Sequence, residues 1–167
     1  MTFGRERAAR VIGTCFGLGL APIAPGTFAA LVGVAIFIAI RLAAPPAAHG
    51  WLIALALVVS CVLTVAMTPW AERHWGKKDP GNFVLDEVAG FLMTVLLFRP
   101  LEANLALLTL WAFLVTRVID IIKVPPANYL EKLPGGWGVL ADDLWGSLYA
   151  AGALHLAYRW MPAIFGV

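Results

Sequence analysis

Charged side chains are scarce in this chain. Only 13% of its 167 residues are Asp, Glu, Lys or Arg, whereas 61% are hydrophobic. A soluble domain of ordinary composition has about a quarter charged residues, and one globular core cannot enclose this many apolar side chains. The composition therefore argues against a soluble domain and predicts a single integral membrane domain, residues 1–167, in which many side chains face lipid.

The sequence also lacks the motifs of several catalytic and binding classes. The two cysteines, Cys15 and Cys61, lie in apolar surroundings, and no CxxC pair or Cys/His cluster indicates zinc. The net charge of +2 and the absence of a long Lys/Arg run argue against nucleic-acid binding. There is no Walker loop, no C-x5-R motif of a cysteine phosphatase and no DxDxT/V motif of an aspartyl-phosphate phosphatase.

The N-terminal segment begins like a secretory signal but does not continue as one. Arg5, Arg7 and Arg10 precede small and apolar residues, yet glycines and prolines break the run and further apolar segments follow. We interpret it as part of the mature protein. Residues 11–26 contain too much glycine and proline for a regular span, and they predict a re-entrant or interfacial loop whose backbone is satisfied by protein or water.

Four apolar stretches predict the membrane helices. A spanning helix needs about 20 residues, which suits the second and fourth stretches best. The third is interrupted at Arg99-Pro100 and predicts two short helices, 88–98 and 101–116, and Pro69 is expected to end the second. We therefore expect an all-α polytopic bundle with about four to five membrane-embedded helices and structured cytoplasmic loops. The stretches are residues 28–40, 51–68, 88–116 and 144–165.

The charges predict an orientation. With the N-terminus inside and five crossings, nine of the twelve basic residues lie inside, all but Arg41, Arg99 and Arg159. The positive-inside rule then places that face in the cytoplasm. The same arrangement puts nine of the ten acidic residues on this face, all but Glu102.

Paired carboxylates indicate chemistry on that face. Asp86-Glu87 and Asp142-Asp143 are each expected to open an apolar helix, and Asp79 lies nearby in sequence. A single acid there would be an ordinary helix cap or a partner of the helix dipole. Two adjacent acids at a low-dielectric boundary repel each other, and a divalent cation would offset that repulsion. We predict a Mg²⁺ site formed by Asp79, Asp86, Glu87, Asp142 and Asp143.

Basic residues accompany these acids. Arg117, Asp120 and Lys123 follow one another at intervals of three, which suits ordinary ion pairs within a helix. Alternatively, Arg117 and Lys123 bind a phosphate and Asp120 supports them or joins the metal shell. Together with the acids, these cations suggest phosphate chemistry on a lipid head group. A covalent phosphoenzyme on Asp or Thr stays open.

Two glycine-containing segments mark shaped loops. Gly26-Thr27 begins the first predicted span, and Gly135-Gly136 precedes the second acidic pair. Glycines let backbone N–H groups approach an anion, so we expect these residues in substrate binding. An ordinary turn, with Thr27 capping a helix, is the other interpretation.

Four ordered motifs resemble those of the phosphatidylglycerophosphatase A family. The resemblance covers residues 13–152. The matching segments are Gly17–Thr27 (GLGLAPIAPGT), Asp79-Pro80 with Val84–Gly90 (VLDEVAG), Arg117–Pro126 (RVIDIIKVPP) and Gly135–Asp143 (GGWGVLADD). The chain departs from the family pattern at Val124, where proline is usual, and at Trp145, where a small residue is usual. Neither departure removes a charge, so they bear on local packing or substrate fit.

The resemblance implies a Mg²⁺-dependent phosphatase of the bacterial inner membrane. It would convert phosphatidylglycerophosphate to phosphatidylglycerol and phosphate in phospholipid synthesis, with the active site facing the cytoplasm. We expect the cation to activate a water, Asp86 or Glu87 to accept its proton, and Arg117 and Lys123 to stabilise the transferring group. The expected catalytic residues are Asp86, Glu87, Arg117, Lys123, Asp142 and Asp143.

Two other interpretations stay open at the level of sequence. A small divalent-cation transporter or channel would also carry intramembrane acids, but it would place them at mid-bilayer or on both sides and often contains repeats. A non-catalytic lipid-binding subunit would need the basic residues and not the acidic pairs. The sequence leaves the oligomeric state open.

Overall fold

The protein is a bundle of α-helices. The structure, a computed structural model, describes residues 3–167, and within that range the chain forms helices and no strand. Short 3-10 helices occupy Leu18–Leu20 and Pro162–Phe165. The expected all-α fold class is confirmed. The α-helices are α1 (Phe3–Gly13), α2 (Pro25–Ala43), α3 (Pro46–Trp75), α4 (Leu85–Leu97), α5 (Leu105–Ile122), α6 (Ala127–Leu130) and α7 (Gly136–Trp160).

Three helices are long and apolar enough to cross a bilayer. These are α2, α3 and α5, with 19, 30 and 18 residues and mean hydropathies of 2.1, 2.4 and 2.1 in their most apolar windows. Only 22–28% of each window is buried inside the protein. Most residues in these windows therefore keep some exposed surface, as helices in contact with lipid do.

Helix α4 is the short central helix of the bundle. Its 13 residues extend about 20 Å at 1.5 Å per residue, less than the roughly 30 Å hydrocarbon core. It packs against α2, α3 and α7, and Phe91, Leu92 and Val95 are fully buried. Gly33 of α2 lets the Phe91 ring approach, because a Cβ at that position would lie 3.0 Å from the ring. Packing against the neighbouring helices therefore stabilises this short helix, as its length predicts.

Several helix ends differ from the sequence prediction, and the two largest differences are at the end of α3 and the start of α7. Pro69 was expected to end the second apolar stretch, but α3 continues through it to Trp75. Proline is tolerated inside membrane helices where packing supports the freed backbone, and here buried Trp70 and Ala71 anchor the turns beyond it. Helix α7 begins earlier than the predicted stretch, because Gly136 packs closely on α3, with a hypothetical Cβ only 2.6 Å from the Val65 Cα.

Residues 14–24 are irregular apart from the short 3-10 helix, whereas the predicted loop, residues 11–26, also included the end of α1 and the start of α2. Its re-entrant or interfacial position remains a prediction. After α1 the chain passes through left-handed conformations at Cys15 and Phe16 before α2 begins. The segment is tied to the α3–α4 loop: the Val84 N–H donates to the Gly13 carbonyl at 3.0 Å, and the Asn82 side chain donates to the Gly19 carbonyl at 3.0 Å. These contacts bring the start of α2 next to the start of α4.

Candidate active site

A polar cavity of about 230 Å³ lies at one end of the bundle. The starts of α2 and α4, the end of α5 and the early turns of α7 meet there. All five carboxylates predicted to bind metal line it, together with Asp120. The lining residues are Pro25, Gly26, Asp79, Gly81, Phe83, Val84, Asp86, Glu87, Asp120, Lys123, Val139, Asp142 and Asp143. We call this space the carboxylate cavity.

Three carboxylates converge tightly beside this cavity. One oxygen each from Glu87, Asp120 and Asp143 lies within 4.8 Å of the other two. They come from α4, α5 and α7, so the packing of three helices creates the cluster. Three anions this close in a poorly hydrated site repel one another. Hard oxygen donors in this number suit a hard divalent cation such as Mg²⁺, which needs few protein ligands and keeps several waters.

Unsatisfied oxygens give an independent indication of a bound cation. Asp86 Oδ1, Asp142 Oδ1 and Asp143 Oδ2 are buried and have no hydrogen-bond partner among residues 3–167. Buried polar atoms are nearly always paired, and an unpaired buried carboxylate oxygen is costly. A cation with its bound waters would satisfy these atoms. The residues present therefore fit the metal that the family resemblance implies.

Arg117 holds two members of the carboxylate cluster in place. Its guanidinium pairs with Glu87 and, at 3.2 Å, with Asp120 one turn along α5. The residue is only 9% exposed, so these pairs are shielded from water. The planar guanidinium fork fixes geometry as well as charge. Arg117 therefore orients the cluster, and its charge is already partly balanced.

Gly26 makes room for this ion pair. A Cβ built at this position would overlap the Glu87 carboxylate and would lie 3.3 Å from Nη2 of Arg117. Since Ala24 adopts a left-handed conformation and Pro25 begins the helix, α2 enters the site with its backbone against Glu87. The glycine is thus required by close approach between α2 and the α4–α5 ion pair.

Lys123 lies at the edge of the carboxylate cavity. It ends α5 in a left-handed conformation, and its Nζ is 3.0 Å from Glu131 and 3.3 Å from Asp142. Burial lowers the pKa of Lys123, but hydrogen bonds and charges from Glu131 and Asp142 outweigh it, so the pKa is raised. Asp79 is an exposed residue that also lines the cavity. Desolvation of its carboxylate raises the pKa of Asp79, and the positive charge of Lys123 offsets part of that rise.

The second acidic pair lies inside a helix and not at its start. Asp142 and Asp143 are the seventh and eighth residues of α7, so they cannot cap it. Ser147, one turn later, places its Oγ 2.7 Å from the Gly90 carbonyl of α4 and 2.8 Å from the Asp143 carbonyl. This contact locks α7 against α4 and places Asp143 beside Glu87. Ser147 is a supporting residue that sequence reasoning missed, since only the helix packing reveals it.

The other predicted substrate-binding residues lie at different positions. Gly26 lines the carboxylate cavity, whereas Thr27, Gly135 and Gly136 do not. Ala24, and not Thr27, precedes the first turn of α2, so the capping interpretation of Thr27 is wrong. Gly136 contacts α3. Their part in substrate binding remains a prediction.

Asp120 has a more central position than the sequence indicated. It was expected to support Arg117 or Lys123 or to join the metal shell, and it does pair with Arg117. It also belongs to the three-carboxylate cluster. The predicted metal ligands were Asp79, Asp86, Glu87, Asp142 and Asp143, and Asp120 was not among them. Its signal was an acid at the end of an otherwise apolar helix.

Comparison with known proteins identifies the family. The family model for phosphatidylglycerophosphatase A matches residues 11–158. Two relatives are named phosphatidylglycerophosphatase A. One, from Haemophilus influenzae, is 29% identical over 87% of this chain and 86% of its own length, and one, from Escherichia coli, is 26% identical over 87% and 81%.

A further relative carries a different name. A Bacteroides thetaiotaomicron protein, provisionally named a phosphatidylinositol-3-phosphatase, is 33% identical over 90% of this chain and 93% of its own length. No solved structure matches. The family model covers most of the chain, and the chain therefore belongs to the phosphatidylglycerophosphatase A family.

Proposed function

We propose that this member of the phosphatidylglycerophosphatase A family hydrolyses the terminal phosphomonoester of phosphatidylglycerophosphate. The products are phosphatidylglycerol, which keeps the oxygen of the broken P–O bond as a hydroxyl, and inorganic phosphate. The observation that carries the proposal is the convergence of Glu87, Asp120 and Asp143 beside a cavity whose carboxylates are incompletely satisfied. The cavity lies at the end of a lipid-facing bundle, where a head group can meet it while the acyl chains stay in the bilayer.

The carboxylate cluster would hold Mg²⁺. Glu87, Asp120 and Asp143 are the nearest set of ligand atoms, and Asp79, Asp86 and Asp142 face the same cavity. When bound, the cation would neutralise phosphoryl oxygens and lower the pKa of a coordinated water. The protein supplies hard oxygen ligands and a confined site for it.

The remaining polar residues divide into positioning and reacting groups. Arg117 is a positioning residue, because its guanidinium already binds Glu87 and Asp120. Asp86 has a buried free oxygen and is the group we assign to accept the proton of the attacking water. Lys123 is 37% exposed at the cavity edge, where its ammonium can stabilise the phosphoryl group as charge moves to the leaving oxygen.

The membrane setting follows from the charge distribution. We propose that the protein lies in the inner membrane with its cavity open to the cytoplasm, since the basic residues concentrate at this end of the bundle. This orientation would allow a lipid made on the cytoplasmic leaflet to enter head group first. A cation transporter would place its acids along a path through the bilayer, whereas here they meet at one end, and a non-catalytic subunit would not need them.

A second substrate comes from the relative named for a phosphatidylinositol 3-phosphate activity. Both lipids present a phosphomonoester on a polyol head group, so the same cluster could serve either. The test is phosphate release by the purified protein from each lipid in detergent, with Mg²⁺ or with a chelator. We expect release from phosphatidylglycerophosphate that requires Mg²⁺.

The outcomes of this assay separate the candidates. Faster release from phosphatidylinositol 3-phosphate would reassign the substrate while keeping the site. Release from neither lipid by folded protein would contradict the proposal. A Glu102→Gln variant is the control for the loss of a carboxylate remote from the cavity, and its rate should match that of the parent protein.

A further inference from the structure

A second cavity beside the site is lined mainly by basic side chains. It has a volume of about 540 Å³, opens widely to the surface and shares no lining residue with the carboxylate cavity. Arg73, Lys77 and Lys78 contribute three positive charges, and Glu72 contributes one negative charge. We call Arg73, Lys77 and Lys78 the basic rim. They lie at the end of α3 and in the loop after it, directly before Asp79.

The basic rim differs in its pairing from the cations in and beside the carboxylate cavity, Lys123 and Arg117. Arg117 and Lys123 each form two ion pairs. Within residues 3–167 none of the three rim side chains forms one, and all three are exposed. Their positive charge is therefore available to a ligand from outside the protein.

The surroundings of the rim include a membrane-facing apolar surface. Arg73 also lines a neighbouring cavity of about 450 Å³ with Glu6 of α1, and α1 packs on the end of α3. Val11, near the end of α1, and Phe16, just after it, are 46% and 79% exposed. Basic residues next to exposed apolar side chains are typical of protein surfaces at an anionic bilayer.

Local backbone geometry leaves space for an anion at the rim. Gly76 and Gly135 both line the cavity and both have positive φ, 68° and 59°. Gly135 precedes α7, and no side chain caps that helix. The positive end of the α7 dipole adds to the charge of the three rim side chains, whereas the C-terminal end of α3 offsets part of that charge.

We infer that the basic rim binds the phosphate head groups of anionic phospholipids in the surrounding bilayer. The rim lies at the end of α3, one of three described helices able to span a membrane, so lipid head groups are the anionic ligands nearest to it outside the protein. Such binding enriches anionic lipid beside the carboxylate cavity. The inference takes from the proposed function only that this cavity handles a lipid phosphate.

The test is lipid association measured without turnover. Protein reconstituted in phosphatidylcholine vesicles is probed by electron paramagnetic resonance with a trace of spin-labelled phosphatidylserine or spin-labelled phosphatidylcholine. We expect a several-fold preference for the anionic lipid at low salt, falling as salt screens the charges. The Lys77→Gln/Lys78→Gln variant should lose at least half of that preference.

The control removes the same charge at the opposite end of the bundle. Arg99→Gln/Arg159→Gln alters two exposed arginines and should keep the preference. Equal loss in both variants, or no loss in the rim variant, would overturn the inference. Displacement of the anionic label by inorganic phosphate, beyond that by chloride at equal ionic strength, would overturn it in favour of a free-phosphate site.

The proposed function and this inference fail in distinguishable ways. The spin-label measurement requires no catalysis, so protein inactive on phosphatidylglycerophosphate can still show the preference. In neutral detergent the rim variant should release phosphate at the parent rate, because its two lysines lie outside the carboxylate cavity. A tenfold lower rate there would show that the lysines act in the reaction, which contradicts a role in lipid association alone.

Discussion

The carboxylate cavity and the basic rim lie at the same end of the molecule, but their unpaired polar groups carry opposite charge. At the cavity, Lys123 and the neighbouring Arg117 both form ion pairs, and among the described residues three carboxylate oxygens have no hydrogen-bond partner. In the rim the three cations form no ion pair in the described part of the chain. A surplus of carboxylate oxygens suits a metal ion, and a surplus of positively charged side chains suits a phosphate.

The two regions also differ in burial, which sets the size of their electrostatic effects. Arg117 and Asp143 are 9% and 7% exposed, whereas the three rim residues are exposed at the protein surface. Charges interact more strongly where water is excluded, and salt screens exposed charges most. Changes in the cavity should therefore alter chemistry and stability, and changes in the rim should alter salt-dependent association only.

The largest effect is expected from Asp143→Asn. The substitution removes a charge from the cluster while keeping the side-chain size, so phosphate release should fall at least about 100-fold, the scale for losing one stabilising group where charge develops. Rates from phosphatidylglycerophosphate in detergent check this. Glu102→Gln, outside the cavity, should keep the parent rate, and a near-normal rate for Asp143→Asn would contradict the role of the cluster.

Arg117→Gln should reduce both activity and stability. It leaves Glu87 and Asp120 close together without their shared cation, and breaking a buried ion pair costs about 3–5 kcal/mol. Thermal unfolding in detergent measures the loss. Arg117→Lys keeps the positive charge but loses the planar guanidinium. Relative to Arg117→Gln, it should therefore restore more of the lost stability than of the lost activity. Equal recovery of both would argue against a positioning role.

Gly26→Ala tests the close approach of α2 to the site. The added methyl would displace the Glu87 carboxylate, so activity should fall about tenfold, which is less than the roughly 100-fold that a 1 Å misplacement of a catalytic group can cost. Gly152→Ala is the matched control, since nothing lies within 4 Å of the new methyl in α7, and alanine suits a helix interior. Similar losses in both variants would mean that the contact at Gly26 has no special role.

The smallest effect should come from the basic rim. In vesicles containing anionic lipid, Lys77→Gln/Lys78→Gln should raise the apparent KM about two- to threefold at low salt and leave kcat unchanged, because exposed charges contribute little each. Kinetics at low and high salt test this, since the difference should vanish at high salt. A change in kcat would place the rim in the reaction.

The sequence predicted which acidic residues lie together better than how they are arranged. Adjacent acids at the start of apolar segments indicated a cation, and all five of those carboxylates line one cavity. Asp120 was underestimated, because its closeness to Glu87 and Asp143 arises from packing of three helices. The continuation of α3 through Pro69 and the early start of α7 also depend on tertiary contacts, which local pattern does not encode.

The most direct test of the central claim is thermal unfolding of the purified protein over a Mg²⁺ titration, with Asp143→Asn in parallel. A ligand that binds only the folded state stabilises it by about 2.7 kcal/mol at one hundred times its Kd. We predict that Mg²⁺ raises the unfolding temperature of the parent protein to a plateau and leaves that of Asp143→Asn almost unchanged. An equal rise in both proteins, or none in the parent, would contradict cation binding by the carboxylate cluster.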